Sequence, residues 1–444
     1  MPRSTGSTGG ISREHRRVVL AAMVGTTIEW FDFFVYAICA GLVFATQYFS
    51  VLGKDALILS FATVGISFFF RPIGAIIAGH LGDRLGRRAM LILTLLLMGI
   101  STVLIGLVPN TASIGVWAPV ILVLLRIVQG LSAGGEWGGA ALLAVEHAPA
   151  GRRGLYGAFP QIGVPIGLLL ANGVLALVTA LTTPEQFLSW GWRIPFLLSV
   201  VLIVAGLLIR SRVAESPVFE EVRETKARSS IPLVHLFRHH WKLVIAGALL
   251  FAANNAVGYM TTGGYVQSYA TKSLHLDRST VLIAVMVSAV AWLVSTLVGG
   301  WLADRIGRLR TYQVGFVLQL VWMFPFFALV DTGSVGLLVL ALVLFSAGLG
   351  LTYGPQSALY AEMYPTTVRY SGAAISYAIG AVLGGAFAPT IAEALQTSTG
   401  TVYAVGGYLA VMTVIGLVTS FFVKDRPGRS LAAAPAEANA VENV

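Results

Sequence analysis

"GHLGDRLGRR" (79–88) returns 221 residues later as "GWLADRIGRLR" (300–310), and this echo decides the fold. Both copies read Gly-x3-Asp-x2-Gly-Arg, carried by Gly79, Asp83, Gly86 and Arg87 and then by Gly300, Asp304, Gly307 and Arg308. Each copy follows one long apolar run and precedes another, so each is a short polar turn between two spans. The glycines permit close helix approach and a tight turn. The aspartate can accept from exposed amides at a neighbouring helix N-terminus, where negative charge is favoured. Arg87 and Arg88 are expected to pair with a carboxylate on the same rim, with Glu146 as partner. The second copy would use Asp304, Arg308 and Glu362. Orientation alone would need the basic residues but not this spacing.

A second pair of segments repeats independently. "AVEHAPAGRRG" (144–154) matches "YAEMYPTTVRYSG" (360–372), with Glu146, Pro149 and Arg153 aligning on Glu362, Pro365 and Arg369 at a constant offset of 216. The chain is therefore duplicated. Its 444 residues are 56% hydrophobic and only 11% charged, with mean hydropathy +0.81. Soluble domains carry about 25% charged residues, so this chain cannot cover itself in water. About twelve runs are long enough, at roughly 20 residues each, to cross a bilayer. They lie near 18–44, 57–80, 89–108, 116–146, 155–181, 191–210, 242–270, 279–303, 311–330, 336–363, 369–395 and 401–423. The predicted fold is an all-α integral membrane protein, with twelve transmembrane helices in two pseudo-symmetric six-helix bundles. The expected organisation is a cytoplasmic segment (1–17), a first bundle (18–210), a cytoplasmic linker (211–240), a second bundle (241–424) and a disordered cytoplasmic tail (425–444).

The start reads as an uncleaved anchor, because no small-residue cleavage site follows a short apolar core. The tail shows neither a lipidation signal nor a heptad pattern. Cys39, the single cysteine, excludes an internal disulfide. A net charge of +9 raises the question of nucleic acid. Its distribution answers otherwise: with a cytoplasmic N-terminus, 23 of the 29 Lys and Arg fall in or beside cytoplasmic segments. That bias is the positive-inside rule. It places both termini inside and the protein in the plasma membrane, with the lipid bilayer and not nucleic acid as its surroundings.

Internal repeats of spanning helices are a transporter signature, with the substrate site expected near the midplane where the halves meet. The loop motif and the twelve spans resemble the major facilitator superfamily along nearly the whole chain. The segments "GTTIEWFDFFVY" (25–36), "FFRPIGAIIAGHLGDRLGRR", "RIVQGLSAGGEWGGAALLAVEHAP", "GWRIPFLLS" and "AESPVFEE" are similar to its metabolite:proton symporter branch. That branch includes shikimate, α-ketoglutarate, citrate and proline/betaine carriers, and the stretch around Glu136 is most like the shikimate type. The resemblance implies proton-driven uptake by alternating access. It leaves the substrate open between a small organic acid and an osmolyte such as proline or betaine.

Five charged residues sit well inside predicted spans, away from their ends: Glu29, Asp32, Arg71, Arg126 and Glu136. Each carboxylate at a bilayer centre costs at least about 2.5–3.5 kcal/mol on insertion scales, so such groups normally face a cavity and pair. On a helix, Gly25, Glu29, Asp32 and Tyr36 form one stripe, and Arg126, Gln129, Ala133, Glu136 and Ala140 share a sector of about 80°. Gln161, Pro165, Leu168 and Asn172 form a third stripe. All five charges lie in the first half, and Thr352 and Leu342 stand at the repeat positions of Glu136 and Arg126. A carboxylate in low dielectric can take up a proton near neutral pH, and a neighbouring arginine opposes this. Substrate competing for that arginine would couple the two events. Asp32 and Glu136 are the expected proton carriers, with Glu29 supporting.

Arg71 and Arg126 are expected to hold an anionic or zwitterionic small molecule. Gln129, Gln161, Asn172, Arg193, Asn254, Asn255, Tyr259, Tyr353, Gln356 and Tyr377 are the further candidates for substrate contact. The rim set is completed by Arg369. Static roles compete with each of these: a permanent ion pair for the acids, capture of a carbonyl freed by Pro72 for Arg71, an interfacial anchor for Arg193. The seven histidines fall at span ends or in loops, so carboxylates must carry protons. No His-Glu-x-x-His motif or P-loop appears, so neither an enzyme, a resident metal, a cofactor nor ATP drive is expected. A sensor on a carrier fold, a uniporter and an antiporter remain rival readings, and the carrier is expected to work as a monomer.

Overall fold

The computed structural model describes residues 13–50, 53, 56–85, 87–149, 151–211, 232–258, 265–425 and 431. Helix accounts for nearly all of them, and no strand occurs among the described residues. The first half contains α1 (Arg13–Cys39), α2 (Ala56–Leu85), α3 (Arg87–Leu107), α4 (Trp117–Glu146), α5 (Arg153–Leu181) and α6 (Arg193–Arg210). The second contains α7 (Trp241–Gly258), α8 (Arg278–Ile306), α9 (Arg308–Asp331), α10 (Val335–Tyr353, resumed by Gln356–Met363), α11 (Arg369–Ala381) and α12 (Tyr403–Phe422). A short helix, Pro232–His239, precedes α7. The rest of the predicted 211–240 linker, apart from Ser211 and His240, lies outside the described residues, as do 1–12 and most of the tail.

Eleven of these helices are individually long and apolar enough to cross a membrane. The remaining predicted span, 369–395, is broken. α11 passes through a π-helical turn (Val382–Ala386) before resuming as Ala388–Thr399, so only the joined pieces reach spanning length. Two glycines at 384 and 385 and Pro389 in the first turn of the resumed helix sit at that break.

Apolar side chains divide the helices into an outer and an inner set. Leu97, Ile100 and Leu104 on α3, Val201, Val204 and Leu208 on α6, Val317 and Val321 on α9, and Val414, Val418 and Phe421 on α12 are exposed. In a chain of this composition, those faces belong to lipid. The other eight helices meet at the middle. There α5 packs on α1 of its own half and on α8 of the other, and α11 packs on α7 and crosses to α2 and α4.

Small residues let the inner helices approach closely. A Cβ on Gly134 of α4 would collide with the α2 backbone at Arg71, and one on Gly350 of α10 would collide with α8 at Thr296. These two glycines are 216 residues apart, so the duplication is visible in packing as well as in the loops. Gly307 alone joins α8 to α9, at φ +102, a conformation that other residues rarely adopt.

Candidate functional site

The five predicted intramembrane charges are all at most 2% exposed, so none is offered to lipid. They are layered along the first half and joined by a sixth charge that the sequence reading assigned elsewhere.

At the middle level Glu29 of α1 pairs with Arg71 of α2 at 3.1 Å. The Arg71 guanidinium lies 4.7 Å over the Phe68 ring and 5.8 Å from that of Trp30. It also reaches Tyr377 of α11, so this pair touches both halves. Tyr377 is sandwiched between Trp137 of α4 and Phe251 of α7, each with ring centroids 4.0 Å away. The Trp137 indole donates to the Gln161 amide oxygen at 2.8 Å, and its ring meets Tyr360 edge-on at 5.4 Å. Tyr353 packs against Trp292 and Phe251. Gln356 is fully buried with both amide atoms unbonded, and the Gln161 amide nitrogen is likewise unbonded. Buried polar atoms normally have partners; these three amide atoms have none.

Toward the α3 C-terminus, Asp32 accepts from Thr102 of α3 at 2.6 Å and from Ser199 of α6 at 2.8 Å. The expectation of one stripe carrying Glu29 and Asp32 is corrected here. Three residues on a helix turn through about 300°, and the two acids diverge, Glu29 toward α2 and Asp32 toward the outer helices. Arg126 is also placed apart from Arg71. It donates to Gln129 at 2.8 Å and to the α2 carbonyls of Thr63 and Val64, and stacks 3.9 Å over Tyr36. Gln129 in turn donates to Thr102 at 2.7 Å, which connects Arg126 to Asp32.

Toward the α3 N-terminus, Glu136 is clasped by Arg210, the last residue of α6, through both carboxylate oxygens, and accepts from Thr94 at 2.9 Å. Arg210 also donates to the Leu91 carbonyl. At the end of a predicted span, Arg210 counted among the basic residues in or beside cytoplasmic segments. It is 3% exposed, and it balances three interior acids with three interior arginines.

At the rim nearest these helix ends, the halves are bonded together. Asp304 of α8 accepts from the backbone amides of Gly154 and Leu155, at 2.7 and 2.9 Å, capping the N-terminus of α5 in the other half. Arg308 bridges Asp304 at 2.8 Å and Glu362 at 3.2 Å, and Arg153 approaches Glu362 at 3.5 Å. Glu146 of α4 faces Arg369 of α11 at 3.7 Å, and the Tyr370 hydroxyl donates to the Gly135 carbonyl. Leu431 fills an apolar cluster with Leu142, Val145, Ala358, Ala361 and Tyr370, while its carbonyl accepts from Arg369 at 3.0 Å. In the first copy of the loop motif, Gly79 lies against Ser371 and Arg88 donates to the Ser211 carbonyl. Gly86 and Tyr259, and the side chains of Asp83 and Arg87, lie outside the described residues.

Four further candidates have bonded partners of their own. Arg193 donates to the carbonyls of Gly106 and Val108 at 2.7 and 2.9 Å, which satisfies the open C-terminus of α3. Asn254 donates to Tyr312 of α9, Asn255 to the Ala381 carbonyl, and Asn172 to a carbonyl of its own helix. Trp137, Phe251, Trp292 and Tyr360 were missed because isolated aromatics in apolar spans look like packing. Thr94 and Thr102 were missed too, although their spacing of eight puts both on one face of α3. No cluster of metal-ligating side chains occurs among the described residues.

Comparison with known proteins adds three findings. The sequence profile of the Major Facilitator Superfamily matches residues 22–389. The chain is 44% identical over 421 residues to the inner membrane metabolite transport protein YhjE of Escherichia coli (strain K12), covering 94% of this chain and 95% of that protein. It is 39% identical over 416 residues to the shikimate transporter of the same organism, with 92% and 94% covered. Among solved structures, the proton:xylose symporter XylE is similar in fold, with TM-score 0.78 at 21% identity, covering 96% of this chain and 99% of that one.

Proposed function

The chain belongs to the major facilitator superfamily, as a multi-pass membrane carrier of metabolites rather than an enzyme, and we propose that it imports a small organic acid together with protons. The passenger is a shikimate- or dicarboxylate-like anion or a zwitterion. It crosses the plasma membrane by alternating access through a monomer, with both termini on the cytoplasmic side. One observation carries this reading: Arg71, an interior arginine within electrostatic reach of Tyr377 in the other half, is held by Glu29 at 3.1 Å.

A substrate carboxylate bonds to Arg71 and displaces Glu29, whose charge in low dielectric is then uncompensated, so Glu29 binds a proton. The ring of the substrate rests on Trp137 and Tyr377, and Gln161 and Gln356 hold its hydroxyls. Asp32 and Glu136 serve as proton stations on either side of Glu29, which lies within electrostatic reach of both. Release of the substrate lets Arg71 reclaim Glu29 and expels the proton. The rim bonds among Asp304, Arg308, Glu362, Arg153, Glu146 and Arg369 hold the cytoplasmic end shut in this conformation and part in the other.

The rings of Trp137, Tyr353, Tyr360 and Tyr377 favour a second reading, since aromatic faces also attract quaternary ammonium groups. On that reading the passenger is a proline- or betaine-like osmolyte. Uptake into proteoliposomes separates the two. Shikimate, 2-oxoglutarate, proline and betaine are offered under an inward proton gradient, and an organic acid is expected to accumulate. An uncoupler should abolish that accumulation; accumulation that persists removes the symport reading, and saturable binding without accumulation indicates a sensor.

A further inference from the structure

The short helix Pro232–His239, inside the predicted 211–240 linker, has no task in the transport cycle above. It lies at the level of the rim, packed on the Thr366–Val368 turn and on α11, whose first residue is Arg369. Leu236 is fully buried and joins the core. His240 ends the helix: its amide donates to the Leu236 carbonyl at 2.8 Å, and its own carbonyl accepts from Leu243 and Val244 of α7. Away from Leu236 the surface is apolar and open. Val234 and Phe237 are 57% and 45% exposed, and Trp241 and Ile245 at the start of α7 are 48% and 49% exposed. Arg238 and Lys242 are exposed among them, with Lys242 Nζ 5.8 Å from the centroid of the Trp241 ring. His235 and His239 lie with ring centroids 4.6 Å apart. No acidic residue occurs between Pro232 and Ile245.

Two observations name what covers this surface. Ile245 is inside the α7 span, where an exposed apolar side chain belongs to lipid, and the stretch from Val234 to Trp241 adjoins it. The same stretch carries two cations and no anion, which complements a layer of anionic headgroups rather than acyl tails alone. A helix whose apolar face is edged by Lys and Arg settles at the boundary between the two.

We propose that residues 232–242 form a membrane-surface anchor of the second half, specific for anionic phospholipid. Val234, Phe237 and Trp241 enter the boundary between headgroups and acyl chains, on the side read above as cytoplasmic. Arg238 and Lys242 hold the lipid phosphates, the arginine through paired N–H bonds and the lysine as a point charge. Two such cations beside an anionic leaflet favour the bound state by about thirtyfold together. The buried Leu236 keeps the anchor on its own half while the halves move.

The full chain in two kinds of lipid nanodisc tests this, one of phosphatidylcholine and one of equal parts phosphatidylcholine and phosphatidylglycerol. In a Cys39→Ala background, a nitroxide on Val234→Cys is read by its collisions with oxygen, which concentrates in the bilayer, and with a neutral nickel chelate, which stays in water. Collisions with the chelate should fall severalfold in the anionic discs. Arg238→Gln with Lys242→Gln should cancel that fall, and raised salt should cancel it in the parent without any substitution. Both substituted positions are exposed and leave Leu236 in place, so the fold is expected to survive. A label that meets the chelate freely in both discs overturns the anchor. Equal shielding in both discs, or shielding that survives the double substitution, overturns recognition of the headgroup. The same shielding produced by inorganic phosphate in the neutral discs would assign the basic edge to a free anion, and spin–spin broadening between labels would assign the face to a second copy; either result overturns the proposal. Neither passenger nor proton enters these readouts, so failure of the symport reading leaves them intact.

Discussion

Where the first half sets Arg71 against Glu29, the second half has Trp292 at the position 221 residues on. Where the first buries Glu136 on Arg210, the second closes Thr352 on Gln319. Asp32 of α1 accepts from α3, and Asn254 of α7 donates to Tyr312 of α9. One plan is thus filled twice, once with charges and once with neutral or aromatic side chains. Burying an ion pair often gains nothing over well-packed neutral residues, whereas removing one member costs about 3–5 kcal/mol. The second half demonstrates that the packing does not require the charges. The charges of the first half are therefore the ones the proposed mechanism draws on, while the rim motif is present in both copies.

The comparison breaks most readily at Arg71. Arg71→Ala should abolish uptake, by a hundredfold or more, and lower stability by about 3–5 kcal/mol because Glu29 is left buried alone. Trp292→Phe, at the matching position, should reduce uptake only a few-fold; equal losses at the two positions would erase the distinction between the halves. Both are read by uptake rate and Tm. At the rim, Asp304→Ala removes a cap from α5 and an anchor from Arg308, for about 1–2 kcal/mol. The expected outcome is faster labelling of a cysteine placed at Ala158 from the cytoplasmic side. Leu431→Asp places a charge in the apolar cluster against Leu142 and Tyr370, and should increase the same labelling by a smaller factor.

Arg193→Ala should cost about 1–2 kcal/mol of stability through the open carbonyls of α3 while leaving the apparent KM unchanged. An altered KM would return Arg193 to the substrate path. Smallest is Asp277, whose carboxyl is held below its usual range by the backbone amide and hydroxyl of Thr280. A depressed folded-state value means its contribution is present above the unfolded value and lost as pH falls through the folded one. Asp277→Ala should lower Tm slightly at pH 7 and not at all in strong acid.

The architecture was legible because hydrophobic length and the repeated loops are local signals. The limits of α4, α5 and α6 fall within two residues of those read from the sequence. The break in α11 was not legible, since a π-turn leaves composition unchanged. Within the site, residue types and depth were readable, but partners were not. Helical stripes fix a direction only to within a sector, and Asp32 and Glu136 each turned by a fraction of a turn into their own half rather than toward the midline. Arg210 escaped because a basic residue at a span end reads the same whether it enters water or folds back on an acid. Trp137 and Tyr377 escaped as a pair because stacking across two halves has no signature in either segment.

Protons bound on substrate addition test the account most directly. Calorimetry of the accumulated compound, repeated in buffers of different ionisation enthalpy, counts them. The parent protein should take up close to one proton per substrate bound near neutral pH, and Glu29→Gln should still bind while taking up none. Undiminished proton uptake in Glu29→Gln would show that the carboxylate at the meeting of the halves is not where passenger and proton are exchanged.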